Sequence, residues 1–189
     1  MTTVIAGMTT SLDGFVADSD GDAGSLYPDL VDLRDTAFMR SAIDRTGAVV
    51  MGRRTFEMGD PDGYVGTYEF QVPMFVVTHH PPAIAPKQDA RLTFTFVTDG
   101  PSVAIASAKT AAADRDVTVV GGVDLISQLL RLGEVDELQV DVMPVVLGAG
   151  TRFLNDPALA AVTLEKIDVR EVGARTSLRF RVGAAHRTR

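Results

Sequence analysis

Val117-Thr118-Val119-Val120-Gly121-Gly122-Val123-Asp124-Leu125-Ile126 is an apolar run that breaks on a glycine pair and reopens as a helix. A buried strand that ends on glycine lets another backbone or a ligand come close. The helix behind it presents unpaired N–H groups and a positive dipole end to anions. Gly-Gly at a strand end is poor for stability, so a ligand or tight helix–sheet packing has to require the missing side chains. The same grammar occurs earlier, in Ala48-Val49-Val50-Met51-Gly52-Arg53-Arg54-Thr55-Phe56. There Arg53, Arg54 and Thr55 add two guanidinium forks and a hydroxyl. A solvated helix start whose arginines meet surface carboxylates is the alternative reading of that stretch. Two phosphate-friendly openings in one small chain point to a dinucleotide.

Outward from these two stretches, continuous apolar runs mark buried strands at 3–8, 49–51, 73–78, 93–98 and 117–120. Helical spacing covers 32–45, with Leu33, Ala37, Phe38, Met39 and Ile43 on the inward face. Further helices are expected at 55–58, at the alanine-rich 102–113 and at 124–132, the last stopped by Gly133. Residues 137–142 alternate polar and apolar, a strand with one drier face. Residues 163–172 and 176–182 read as an antiparallel pair around Gly173. Between them lie two long loops, 9–28 with Phe15-Val16-Ala17 as its apolar anchor and 59–70 with the turn signal Asp60-Pro61-Asp62-Gly63. The pattern describes an α/β fold, a mostly parallel central sheet of about eight strands with helices on both faces and a C-terminal antiparallel hairpin. The 189 residues fit a single domain, with 184–189 expected as a disordered tail.

Composition narrows the function. Hydrophobic content of 46% and charge of 23% belong to an ordinary globular chain. A net charge of −7 argues against nucleic acid as a partner, because a phosphate-tracking surface needs clustered cations. With no cysteine there are no disulfides and no thiolate metal sites. No apolar run approaches ~20 residues and no signal-peptide pattern opens the chain, so no membrane partner and a cytoplasmic location are expected. His79-His80 has no further histidine nearby, so no metal is expected there. Gly148-Ala149-Gly150 lacks the third glycine and the helix of a dinucleotide fingerprint and reads as a loop. Ser11-Leu12-Asp13-Gly14 follows the first strand, where Asp13 forms a turn, contacts a substrate or positions the loop. Asp32 and Asp35 lie on the first helix, as surface charges or with one of them facing a pocket. Asp13 and Asp35 are therefore the candidate catalytic carboxylates.

In order and spacing, Ser11-Leu12-Asp13-Gly14, Met51-Gly52-Arg53-Arg54-Thr55, Val120-Gly121-Gly122 and Pro144-Val145-Val146-Leu147-Gly148-Ala149-Gly150 resemble the dihydrofolate reductase-like superfamily. Within it the chain is most similar to the C-terminal reductase domain of the bifunctional riboflavin-biosynthesis deaminase-reductase, over residues 5–182. The resemblance implies a mixed eight-stranded sheet with one antiparallel strand, and NADPH as cofactor. It implies that Gly52, Arg53, Arg54 and Thr55 cradle the adenosine side, with Arg53 on the 2′-phosphate, and that Thr78 and His79 flank the ribose. Gly121, Gly122, Val123 and Asp124 would hold the pyrophosphate on backbone N–H groups, with a cis bond between the two glycines. Gly7, Met8 and Val16 would lie near the nicotinamide.

Departures from the pattern bear on the substrate. The riboflavin-pathway reductases carry a carboxylate where this chain has Val120, and dihydrofolate reductases have an early-loop Trp and a first-helix carboxylate that align with nothing here. The expectation is an NADPH-dependent oxidoreductase acting on a small heterocyclic or carbonyl substrate, and a homodimer resting on 138–147. Efficient turnover of dihydrofolate or of the ribosylaminopyrimidine is not expected. The alternative is a non-catalytic nucleotide-binding protein on the same fold.

Overall fold

The computed structural model describes residues 2–183; the expected tail, 184–189, lies outside the described residues. The strands are β1 (Val4–Ser11), β2 (Phe15–Ala17), β3 (Thr46–Gly52), β4 (Met74–Val77), β5 (Phe94–Val97), β6 (Asp116–Val119), β7 (Glu137–Met143), β8 (Thr151–Arg152), β9 (Thr163–Val172) and β10 (Arg175–Gly183). The helices are α1 (Leu30–Arg34), α2 (Ala37–Arg45), α3 (Arg53–Met58), α4 (Tyr64–Thr67), α5 (Pro101–Ala112) and α6 (Val123–Leu132). The main sheet runs β5-β4-β3-β6-β1-β7-β10-β9. Neighbours from β5 through β7 are parallel, and β10 alone runs against the rest. Eight strands, mostly parallel, with a closing hairpin match the expected architecture.

Period-two alternation divides the sheet into two faces. On β3, Ala48 and Val50 point to one side and Val49 and Met51 to the other, all buried. Helices α5 and α6 cover the first side with Ala104, Ile105, Ala108, Ile126 and Leu129. On the second side α3 and the segment after it bring Phe56, Tyr64 and Phe70 against Met74, Val76 and Phe94. Phe56 meets Phe94 edge-on at 5.3 Å, a favoured aromatic geometry.

Three local expectations change. The helix expected over 32–45 is two helices, because Thr36 takes an extended backbone (φ −76°, ψ 151°) and caps α2. Its hydroxyl accepts from Met39 N–H at 3.1 Å and donates to Leu33 C=O at 2.7 Å, so the break satisfies both helix ends. Within the expected loop, β1 continues to Ser11, and Phe15–Ala17 pairs with β8 as a second, two-stranded sheet. Residues 138–143, offered as support for a dimer, are interior: β7 is paired with β1 on one edge and β10 on the other. Val146 in the following segment is exposed.

Asp13 joins the two ends of this region. Its carboxylate accepts from Leu147 N–H (3.1 Å) and Gly148 N–H (2.7 Å), stitching the β1–β2 turn to the loop after β7. The Ser11 hydroxyl, then these two N–H groups, hold its carboxyl down at about 2. A depressed folded pKa contributes stability above the ordinary value of 3.8, lost as pH falls toward about 2. Asp13→Ala is expected to make the 145–152 loop sensitive to protease at neutral pH. Unchanged cleavage would show that the latch does not order it.

Candidate active site

The second face of the sheet is wet at its centre. Thr9 of β1, Thr118 of β6, Gln139 and Asp141 of β7 and Arg175 of β10 point away from the α5–α6 core. They floor a cavity of about 470 Å³. Leu33, Phe38, Met39, Met58 and Tyr68 supply its walls. The apolar stripe expected to bury α2 therefore lines this cavity in part, and no residue of α2 is fully buried. An apolar wall with a few polar groups on the floor is the usual make-up of a small-molecule site.

The polar floor is organised around Arg175, which is 2% exposed. Its Nε and Nη2 donate to the Asp29 carboxylate at 3.0 and 2.5 Å, and its Nη1 stands 3.6 Å from Asp141. The Arg175 hydrogen bonds hold Asp29 below the usual carboxylate range, whereas burial pushes Asp141 above it. Burial likewise raises Glu69, whose ion-pair partner Arg34 is 4.0 Å away. It also raises the Tyr27 phenol, beside the Thr9 hydroxyl. Three carboxylates with different surroundings thus stand in or beside one pocket.

A ridge beside the cavity carries the two glycine openings, now adjacent in space. Gly52 N–H donates to Gly121 C=O at 2.9 Å, joining the entry of α3 to the entry of α6. A Cβ on Gly52 would come within 3.3 Å of Gly122 N. One on Gly121 (φ +123°) would come within 3.0 Å of Thr55 Oγ1. The Gly121–Gly122 bond is cis, as the resemblance implied. α6 begins at Gly122 with no side-chain cap, so the first-turn N–H groups are open to an anion. The Asp124 side chain is exposed. These residues fit a phosphate held on backbone N–H groups.

Most of the residues expected around the cofactor converge on this ridge. Arg53 Nε donates to Glu57 at 2.6 Å and its Nη1 to the His80 carbonyl at 3.1 Å, which sets it against the loop after β4. That loop is held by Thr78, whose hydroxyl bonds His80 C=O and N–H at 3.0 and 3.1 Å; His79 beside it is exposed, as is Arg54. Gly7, Met8 and Thr55 line the cavity itself, next to Val120. Val16, on β2, packs against the α5–α6 core and is not among the cavity's lining residues.

The two candidate catalytic carboxylates are elsewhere. Asp13 is committed to the loop latch, and Asp35 is exposed at the end of α1; neither lines the cavity, and Asp32 is exposed as well. The carboxylates that do line it, Asp141 and Glu69, were not singled out from sequence, nor were Arg175, Gln139 and Tyr27. Asp141 had a readable signal, since a polar residue on the wet side of an alternating strand becomes a floor residue once that strand is interior. Arg175 and Glu69 had none.

The sequence profile of the RibD C-terminal domain matches residues 2–178. No curated protein matches the chain. Among solved structures, the Thermotoga maritima diaminohydroxyphosphoribosylaminopyrimidine deaminase/5-amino-6-(5-phosphoribosylamino)uracil reductase superposes with a TM-score of 0.70 at 16% identity. The match covers 95% of this chain and 56% of that one. The Saccharomyces cerevisiae riboflavin biosynthesis reductase gives 0.61 at 16% identity, over 96% and 90% of the two chains. Enterococcus faecalis dihydrofolate reductase, complexed with NADP(H), gives 0.61 at 16% identity, over 95% and 96%. At these identities the likeness is one of fold, the dihydrofolate reductase-like fold. The profile match spans nearly the whole chain, and on that ground the protein belongs to the RibD C-terminal domain family.

Proposed function

We propose that the protein is an NADPH-dependent reductase that transfers a hydride to a small heterocyclic or carbonyl substrate. The observation that carries this reading is the continuity of ridge and cavity. Met8 lines the cavity, and its Cε lies within 3.7 Å of where a Cβ on Gly121 would stand, so a dinucleotide along the ridge ends where the cavity begins. When bound, NADPH supplies the hydride from C4 of its nicotinamide. In this reading the backbone from Gly121 to Asp124 binds the pyrophosphate, and Arg53 and Arg54 the 2′-phosphate. Gly52, Thr55, Thr78 and His79 surround the adenosine, and Gly7 and Met8, which line the cavity, border the nicotinamide. The cavity walls exclude water and hold the electrophile against the cofactor, which is most of what this chemistry asks.

The cavity of about 470 Å³ beside the ridge favours turnover over a non-catalytic nucleotide-binding role. The doubt about pterins rested on Asp32 and Asp35 being the only nearby acids, and the doubt about ribosylaminopyrimidines on Val120 standing where related reductases carry a carboxylate. Asp141 and Glu69 in the cavity remove the first ground, whereas Val120 lines the cavity and the second ground stands. Oxidation of NADPH should therefore be followed with pterins, ribosylaminopyrimidines and quinones. Binding of NADPH without turnover of any class would favour the non-catalytic reading.

Cofactor preference has its own test. Arg53 is about half exposed, and Glu57 is its only carboxylate partner among the described residues, so its guanidinium is available to a phosphate. A charge-assisted contact of about 1.5–3 kcal/mol corresponds to a tenfold or greater effect. Fluorescence titration of Arg53→Ala should show that loss for NADPH, with NADH affinity within about twofold of the parent. Equal affinity of the unmutated protein for both cofactors would sink the assignment.

A further inference from the structure

Asp141 is a carboxylate set into the cavity floor with spare accepting capacity. It is 9% exposed and accepts one long hydrogen bond, from Gln139 Nε2 at 3.3 Å. Ser177, directly opposite on β10, and the Arg175 charge favour the charged form more than Gln139 does, yet burial outweighs all three. An ionised carboxylate offers about four lone-pair sites. Arg175 turns its Nε and Nη2 to Asp29 and leaves only Nη1 toward Asp141, at 3.6 Å, beyond a normal hydrogen bond, so part of that capacity stays open. One guanidinium between two carboxylates leaves this buried cluster with a net charge of −1 when both acids are ionised. A buried charge of that kind favours a cation or a hydrogen-bond donor arriving from the cavity, the one open direction.

The placement suits a substrate held against the ridge. Strand register sets Asp141 beside Thr9 and Gln139 beside Gly7. Thr9 lies two residues along β1 from Gly7, about 7 Å at the usual strand rise. That is about the width of a fused bicyclic heterocycle. A ring whose reacting atom lies near Gly7 and Met8 would bring its far edge to Asp141.

We propose that Asp141 is the specificity-determining residue of the cavity. It accepts hydrogen bonds from an N–H-bearing or protonated edge of the substrate and selects amino-substituted nitrogen heterocycles over carbonyl compounds that lack such an edge. The proposal rests on the cavity being the substrate site. Glu69, between Tyr68 and Phe70 in the lining, is not required for the selection.

Two probes of similar size, 2,4-diaminopyrimidine and uracil, test it by calorimetry on the whole protein with and without NADPH. Methyl-labelled methionine signals from Met39 and Met51, which both line the cavity, report where each probe sits. The parent should bind the diamine at least tenfold more tightly than uracil and shift those signals. Asp141→Asn should reduce the preference to about twofold with NADPH affinity unchanged, and Asp141→Glu should keep most of it. Equal binding, no binding of the diamine, or a preference that survives in Asp141→Asn overturns the proposal. Should Asp141→Asn not fold, the parent's preference and its retention in Asp141→Glu decide. Failure of the parent to bind NADPH would instead count against the reductase reading, and the probe preference would still decide the role of Asp141.

Discussion

Gly122→Val is expected to fold and to lose NADPH affinity by a hundredfold or more. The backbone at Gly122 (φ −83°, ψ −176°) is extended, a conformation open to any residue. A Cβ there meets only Thr55 Oγ1, at an ordinary 3.6 Å. The native packing therefore leaves room for a side chain at this position. That room lies in front of the uncapped start of α6, where the N–H groups of Val123 and Asp124 are open to an anion. A branched side chain takes the anion's place, and losing two charge-assisted contacts at about 1.5–3 kcal/mol each gives the stated factor. Gly121→Ala is the contrast, because its positive φ and the 3.0 Å approach to Thr55 Oγ1 disturb the fold itself. Circular dichroism and NADPH titration on both variants separate the two. Parental affinity in a folded Gly122→Val protein would mean that the glycine pair serves only packing.

This contrast shows which parts of the molecule were legible in the sequence. Strands such as Val49-Val50-Met51 declare themselves because both faces of an interior parallel strand are buried, leaving no room for a polar residue. The ridge was legible for a related reason: Gly52 and Gly121 sit where two backbones cross closely, and glycine at a strand end advertises that approach. The break between α1 and α2 was not. Thr36 lacks a glutamate or glutamine three residues on to complete a capping box, and apolar spacing runs straight through it. Phe15–Ala17 is too short for strand alternation to register. The cavity floor was the least legible part, since Arg175 finds Asp29 across 146 residues and no local pattern encodes that pairing. Local sequence points to the acids beside glycines and helix starts, Asp13 and Asp35, whereas the burial of Asp141 and Glu69 depends on which distant elements become neighbours.

The other large effect is expected at that pairing. Arg175→Met should lower stability by about 3–5 kcal/mol, a large share of the ~5–15 kcal/mol typical of a domain. Methionine refills much of the volume of a side chain that is 1% exposed, so packing is not the main loss. What remains is two carboxylates, Asp29 and Asp141, facing the former guanidinium site without its charge. The pH dependence should shift as well, because in the parent Asp29, held low, and Asp141, already held high by burial, act in opposite directions. In the parent, Arg175 depresses the Asp29 pKa, so its stabilisation is present above the ordinary carboxylate value and fades as acid protonates it. In the variant, burial and mutual repulsion raise both folded-state values above the unfolded ones. The folded protein then binds more protons than the unfolded chain, and stability falls as pH rises through that window. Urea melts at pH 5 and pH 8 should show the variant closer to the parent at the lower pH. A loss below about 1 kcal/mol, or an equal loss at both pH values, would mean that the carboxylates find water or other donors, and that the guanidinium does not hold the cavity floor together.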